Sequence, residues 1–253
     1  MTLRESVAVV TGGDSGIGRS TLAALSAAGA TAVSWDLAGE GIRCDVTDPH
    51  SVGIAMAETI SRFGHPTVLV ASAGVSGMVR IADITPEHWD QVYAVNVRGS
   101  FLCLQAFARQ LEGTELTGSV VLVWSVNGII ADPAHSLYSS TKAAVMHLAR
   151  CAAVELGPVG IRVNAIAPGP TDTPMLQKAL VKAGYEERIV AGTPLGRVGR
   201  PEDIASAIVT VLDSEWITGQ VIAVDGGASL ATARGAENAR QLAAGDGTRN
   251  APN

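Results

Sequence analysis

The sequence predicts a single α/β domain: a doubly wound parallel sheet of about seven strands with helices on both faces. Three observations carry that expectation. Short strand-like apolar runs alternate with longer helical stretches as far as about residue 230. Those runs are apolar at successive positions rather than alternately, as in strands covered on both faces. The length of 253 residues, with 47% apolar and 17% charged residues, suits one sizeable core and is too apolar for global disorder. Parallel strands need right-handed crossovers, and the ligand crevice of such a sheet opens at the carboxyl ends of its strands.

Taken in order, Ser6 to Thr11 reads as a buried strand, followed by glycines and an Ala/Leu-rich helix to about Ala28. Gly29 suits a left-handed helix end. Ala32 to Trp35 and Gly41 to Cys44 are the second and third strands. Asp48-Pro49 opens a helix to about Phe63, with proline at its tolerated first turn. Thr67 to Ala71 is a strand, Pro86 starts a helical region, and a further helix covers about Arg98 to Leu111. Gly118 to Trp124 is strand five. Ser136 to Leu156 is a long helix closed by Gly157-Pro158. Ile161 to Ile166, a helix from Pro201 to Leu212, and Gln220 to Val224 complete the alternation. Residues 1–230 form the expected domain, and 231–253, lacking a sustained apolar face, read as a flexible tail.

A formal net charge of −6 argues against a broad electrostatic grip on nucleic acid or an anionic membrane. No apolar run reaches the roughly 18–20 residues of a membrane span. The start of the chain lacks the pattern of a secretory signal. Cys44, Cys103 and Cys151 are an odd, scattered set that fits a reducing, cytoplasmic setting and small core positions. The five histidines show no metal-ligand spacing, so no metal site is expected.

The chemistry-bearing residues begin at Thr11-Gly12-Gly13-Asp14-Ser15-Gly16-Ile17-Gly18, between a strand and a helix. Side-chain-free positions let the backbone turn sharply toward a pyrophosphate, and the helix starting near Gly16 points free N–H groups at it. Asp36 follows the second strand, eighteen residues after Gly18. A carboxylate there accepts both hydroxyls of an adenosine ribose and repels a 2′-phosphate, favouring NAD over NADP. Ser15 rather than a basic residue precedes Gly16, in the same sense. The alternative for Asp36 is a solvated loop carboxylate. Tyr138 and Lys142 lie four apart on one helical face, where an ammonium would lower the phenol pKa from about 10. Ser125 ends strand five, at the crevice, where its hydroxyl can bond a substrate oxygen.

With these residues the chain resembles the short-chain dehydrogenase/reductase family, over roughly residues 4 to 230. The glycine motif matches Thr11 to Gly18, and the family's serine, tyrosine, lysine and helix asparagine fall on Ser125, Tyr138, Lys142 and Asn96. Its nicotinamide-side motif falls on Pro168, Gly169 and Thr173, with Thr171 inside it, and its adenine-side aspartate on Asp45, followed by Val46. The usual Asn-Asn-Ala-Gly is here Ala71-Ser72-Ala73-Gly74. The resemblance implies a Rossmann-type fold, cofactor contacts at Gly12, Asp14, Ser15, Gly16, Ile17, Gly18, Asp36, Asp45, Val46, Ser72, Ala73, Gly74, Tyr138, Lys142, Pro168, Gly169, Thr171 and Thr173, and often a homotetramer. It also implies a mechanism: Tyr138 exchanges the alcohol proton, Ser125 holds the substrate oxygen, Lys142 bonds the nicotinamide ribose and Asn96 fixes a water. Residues 175–190 correspond to the family's substrate lid. Trp124 reads as packing or as a substrate contact, and His135 as lining the substrate mouth or as surface.

The expected activity is an NAD-dependent oxidoreduction of a small-molecule secondary alcohol or ketone. Two alternatives stand beside it: an NADPH-dependent 3-oxoacyl-carrier-protein reductase, for which Gly196 to Asp203 is family-like, and a dinucleotide-binding sensor without turnover.

Overall fold

Seven runs rich in valine, isoleucine and alanine become seven parallel strands of one sheet in a computed structural model that describes residues 3–181 and 183–230. The expected tail, 231–253, lies outside the described residues. The strands are β1 (Val7–Thr11), β2 (Thr31–Asp36), β3 (Ile42–Arg43), β4 (Val68–Ala71), β5 (Gly118–Val123), β6 (Ile161–Pro168) and β7 (Val221–Val224). Their spatial order is β3-β2-β1-β4-β5-β6-β7. Every neighbouring pair is parallel.

Side chains of a strand point alternately to the two faces, so a strand apolar at every position needs two cores. The sheet has them. Val7 and Val9, Leu69 and Ala71, and Val120 and Leu122 face one core, with Trp35, Phe107 and Val145. Ala8 and Val10, Val68 and Val70, and Val121 and Val123 face the other, with Leu25, Ile204 and Ile208. The first core is roofed by α2 (Pro49–Phe63), α4 (Ser100–Leu111) and α5 (Ser136–Leu156), the second by α1 (Gly16–Ala27) and α8 (Pro201–Asp213). Buried polar groups are matched: the Trp35 indole N–H donates to Thr59 at 2.9 Å. Arg162 reaches the carbonyls of Val211 and Leu212 at the end of α8, where a cation also meets the negative end of the helix dipole.

Local chemistry sets the helix ends. The Asp48 carboxylate accepts from the N–H groups of His50 and Ser51, Pro49 takes the first turn of α2, and Gly64 leaves it at φ 92°. Asp203 accepts from the Arg200 N–H at the start of α8 and from Arg197, which together hold its carboxyl well below the usual range.

The structure adds to or alters several sequence expectations. α3 (Pro86–Tyr93) does not stop before α4; a π-helical stretch, Ala94–Gly99, joins the two. The lid segment holds two short helices, α6 (Pro174–Leu180) and α7 (Tyr185–Gly192). Cys44 and Cys103 are buried thiols, but Cys151 is exposed, because it lies on the face of α5 turned away from Val145, Ala149 and Ala152.

Candidate active site

Strand order reverses between β1 and β4, the place where a doubly wound sheet presents its crevice at the carboxyl ends of the strands. Thr11 closes its floor: its hydroxyl accepts from the N–H groups of Ser72 and Ala73, both at 3.1 Å. Gly12 then turns at φ 65°, so close to β4 that a Cβ would stand 3.0 Å from the Ala73 Cα. A Cβ on Gly18 would lie 2.1 Å from the Gly12 carbonyl oxygen. Gly16, at φ 48°, faces Thr173, whose methyl would be 3.2 Å from a Cβ. The glycine loop, the segment after β4 and the segment after β6 therefore meet at one place. Ser15 caps α1 in extended geometry without a side-chain cap bond, and no acidic residue occupies the first helical turn. Free N–H groups and the positive dipole end are thus presented to an anion. Ile17 packs against the second core and anchors that turn.

Asp36 ends β2. Its Oδ2 accepts from the Asp14 N–H at 3.1 Å and its Oδ1 from the Leu37 N–H at 2.8 Å. The Asp45 carboxylate is turned onto Thr47, accepting from its N–H and hydroxyl. Val46 is buried against Gly99. On the far side Pro168 ends β6, and Gly169 lies so near Asp225 that a Cβ would be 2.6 Å from its side chain. The Thr171 hydroxyl donates to the Gly169 carbonyl, and Thr173 caps α6 by accepting from the Leu176 N–H. This cradle, floored by backbone that no side chain could enter, fits an extended dinucleotide.

The catalytic candidates converge beside it. Ser125, buried just past β5, accepts from the Asn127 N–H at 3.2 Å, and its hydroxyl is close enough to the Tyr138 phenol to favour the phenolate. One turn further along α5 is Lys142, buried, with Nζ 5.5 Å from the Tyr138 ring centre and donating to the Val123 carbonyl at 3.4 Å. Asn96 sits in the π-helical stretch, and its amide both accepts and donates. It accepts from the Val75 N–H (2.8 Å) and donates to the Val75 carbonyl (3.0 Å) and to Thr141 (3.1 Å). Gly74 passes between them: a Cβ there would lie 3.3 Å from Asn96 Oδ1 and 3.5 Å from Lys142 Nζ.

Burial dominates the electrostatics. It pushes the Tyr138 phenol up to about 12, partly opposed by the Ser125 hydroxyl, and pulls the Lys142 ammonium down to about 8. The expectation that Lys142 brings the phenol below its ordinary value therefore does not hold in this structure. Both groups have lost water, and desolvation disfavours each charged form. Trp124 is 2% exposed and packs on Gly128, so it is a core residue, not a substrate contact. His135, half-buried at the start of α5, bonds the Pro133 carbonyl. Thr11, the first residue of the glycine motif, braces the site together with Thr141 and Val75, which were not among the candidates. Thr141 carried a signal, as a small polar residue inside the Tyr-x-x-x-Lys turn.

The family model described as enoyl-(acyl carrier protein) reductase matches residues 12–229. The chain is a short-chain dehydrogenase/reductase. It is 37% identical over 239 residues to the 2,5-dichloro-2,5-cyclohexadiene-1,4-diol dehydrogenase of Sphingobium indicum, covering 87% of this chain and 95% of the relative. It is 33% identical over 246 residues to the 3-oxoacyl-(acyl-carrier-protein) reductase FabG of Thermotoga maritima, covering 90% and 99%. Among solved structures, a short-chain type dehydrogenase/reductase from Mycobacterium marinum superimposes with a TM-score of 0.85 at 31% identity, covering 90% and 97%. ElxO with NADP bound superimposes at 0.82 with 27% identity, covering 88% and 98%. Members of this family are oxidoreductases of alcohols and ketones, and the short-chain dehydrogenase/reductase assignment agrees with the sheet order and the seven parallel strands.

Proposed function

We propose that the protein is an NAD(H)-dependent oxidoreductase that interconverts a secondary alcohol and a ketone, with Tyr138 exchanging the proton. The observation that carries this reading is the convergence of Ser125, just past β5, with Tyr138 and Lys142, which lie one helical turn apart on α5 with the Lys142 Nζ 5.5 Å from the Tyr138 ring centre. The pyrophosphate would rest on Gly12 to Gly18, the adenosine ribose on Asp36, the adenine beside Asp45, Val46 and Ala73, and the nicotinamide end against Gly74, Lys142 and Pro168 to Thr173. A nicotinamide held there would supply the hydride exchange with the carbinol carbon of the alcohol or the carbonyl carbon of the ketone. Ser125 holds the substrate oxygen. Tyr138 takes the hydroxyl proton in oxidation and gives it back in reduction. Lys142 adds a cation beneath the ring and Asn96 fixes the backbone of Val75 next to it; Asn96 is a positioning residue.

The sign of the pH dependence follows. A phenol held near 12 stays protonated through the neutral range, ready as an acid and scarce as a base. Ketone reduction at saturating NADH is expected to be flat from about pH 6 to about pH 8, while alcohol oxidation climbs with pH. A reduction rate falling tenfold across that interval would contradict this.

A carboxylate beside a 2′-phosphate is a like-charge contact, so Asp36 supports NAD over NADP by on the order of a hundredfold, about 2.7 kcal/mol. The similarity to FabG favours a second reading, reduction of a 3-oxoacyl thioester with NADPH. Initial rates with secondary alcohols and NAD, set beside rates with an acetoacetyl thioester and NADPH, separate the two. Faster turnover in the second pair would replace the first reading.

We also propose a homotetramer in a cytoplasmic setting. Phe101 and Val154 are exposed on α4 and α5, and an open groove of about 700 Å³ runs past Tyr93, Val97 and Phe101. That apolar face suits a second copy of the chain. Light scattering at micromolar concentration is expected to give four times the chain mass; a monomer mass would overturn the proposal.

A further inference from the structure

The turn that follows β5 leaves a polar side chain unmatched beside Ser125. Residues Val126–Gly128 form a single 3-10 turn with Ser125 at its start. The Gly128 N–H donates to the Ser125 carbonyl at 2.9 Å and the Ile129 N–H to the Val126 carbonyl at 2.8 Å, which fixes the turn. Three residues per turn give three faces. Val126 is buried in the first core. Gly128 lies flush on Trp124 and α5: a Cβ there would stand 2.6 Å from the indole ring and 3.1 Å from the Ala143 nitrogen. Asn127 takes the remaining face. It is half-buried, and no described residue pairs with its side-chain amide. Its backbone N–H, by contrast, donates to the Ser125 hydroxyl at 3.2 Å. The Asn127 Cα is one bond from that nitrogen, so its short side chain starts beside the atom proposed to hold the reacting oxygen. The rim around it is apolar or already paired. Ile129 and Met78 are exposed there, and the Val79 N–H bonds the Ala134 carbonyl at 2.9 Å, joining the loops that carry them. Arg80, on the Met78 loop, is paired with Asp83 at 2.9 Å.

We infer that Asn127 is a substrate-binding, specificity-determining residue: its side-chain amide hydrogen-bonds a second, neutral oxygen of the substrate, carried on the carbon next to the carbinol or on the one after. This rests on the proposed oxidoreductase reading and narrows its substrate. An amide offers both donors and an acceptor, so it takes a hydroxyl or a carbonyl. It brings no charge to balance a carboxylate or a phosphate. The exposed Ile129 and Met78 suit an apolar skeleton. The substrate class is therefore an apolar diol with vicinal or 1,3 oxygens, and the hydroxyketone it becomes. In the oxidation one carbinol carbon gives its hydride to NAD and its hydroxyl proton to Tyr138, while the second oxygen stays unreacted on Asn127. A substrate lacking that oxygen leaves the amide desolvated and unpaired, and so is disfavoured.

The test is NADH formation from NAD by the full-length protein with three probes: cyclohexanol, cyclohexane-1,2-diol and cyclohexane-1,3-diol. Wild type is set beside Asn127→Leu, which keeps the shape of the side chain and removes its polar atoms. Asn127→Ala is the second variant should the first fail to fold. Both keep the backbone N–H that donates to Ser125. For the wild type, kcat/KM with the better diol is expected to exceed that with cyclohexanol by about tenfold or more, beyond the statistical advantage of two hydroxyls. In Asn127→Leu or Asn127→Ala that preference is expected to vanish. If the wild type uses cyclohexanol as well as either diol, or if both variants keep its preference for the diol, the inference is overturned while the oxidoreductase reading stands. If none of the three gives NADH with the wild type, the oxidoreductase reading fails for this class of alcohol and takes the inference with it.

Discussion

Replacing Tyr138 by phenylalanine is expected to lower turnover by about 10²–10⁴-fold, or about 3–5 kcal/mol of barrier, while NADH still binds near wild-type strength. The substitution keeps the ring, half-buried at the start of α5, and deletes the hydroxyl that meets Ser125. Among the described residues near Ser125, the other titratable groups are turned elsewhere: Lys142 to the Val123 carbonyl and His135 to the Pro133 carbonyl. A companion substitution, Lys142→Met, removes the ammonium below the ring. It is expected to weaken cofactor binding, because Lys142 lies at the nicotinamide end of the cradle. Steady-state kinetics in both directions check each variant. Unchanged kcat in Tyr138→Phe would mean that the proton travels elsewhere.

Gly18→Ala is expected to abolish measurable NADH binding, a loss of a hundredfold or more, and to lower the melting temperature. A Cβ at this position would lie 2.1 Å from the Gly12 carbonyl oxygen and 2.8 Å from its carbon, both backbone atoms that cannot swing away. The glycine loop would have to open, and with it the anion-binding end of α1. Gly53→Ala is the control. Gly53 is exposed within α2, and a Cβ there meets nothing within 4 Å. Alanine should stabilise that helix by roughly 0.5–1 kcal/mol, with cofactor affinity unchanged. Thermal melts and NADH titrations of the two variants, side by side, separate a steric effect at the site from a general intolerance of alanine.

Elements with local punctuation were legible in the sequence. Asp48-Pro49 and Gly64 bracket α2, and the structure runs that helix from Pro49 to Phe63. Gly157-Pro158 ends α5 after Leu156, although Gly157 keeps helical geometry at φ −55° and the left-handed turn comes only at Gly160, φ 78°. Features set by contacts across the fold were not legible. The π-helical stretch at Asn96 has no signature in hydrophobic period; there the asparagine side chain holds the backbone of Val75, twenty-one residues away. β3 shrank to Ile42–Arg43, since only Trp35 and Asp36 of β2 pair with it. Cys151 was read as core because cysteine is small and apolar. Which face of α5 meets the sheet depends on where the sheet lies, and Cys151 faces away. At the site, the spacing of Tyr138 and Lys142 placed both on one face, but the direction of their pKa shifts required their burial. Likewise Asn127 stands two residues past Ser125 in the sequence, whereas its unpaired amide becomes visible only with Val126 and Gly128 packed away.

The central claim is that this chain moves a hydride between a secondary alcohol and NAD while Tyr138 moves the proton. Its most direct test is NADH formation from NAD, at alkaline pH, with a panel of secondary alcohols that includes cyclohexanols, for wild type beside Tyr138→Phe. The account predicts substrate-dependent NADH formation by the wild type with at least one alcohol. It predicts formation at least a hundredfold slower by Tyr138→Phe at equal NADH affinity. Turnover by Tyr138→Phe within a few-fold of wild type would contradict it.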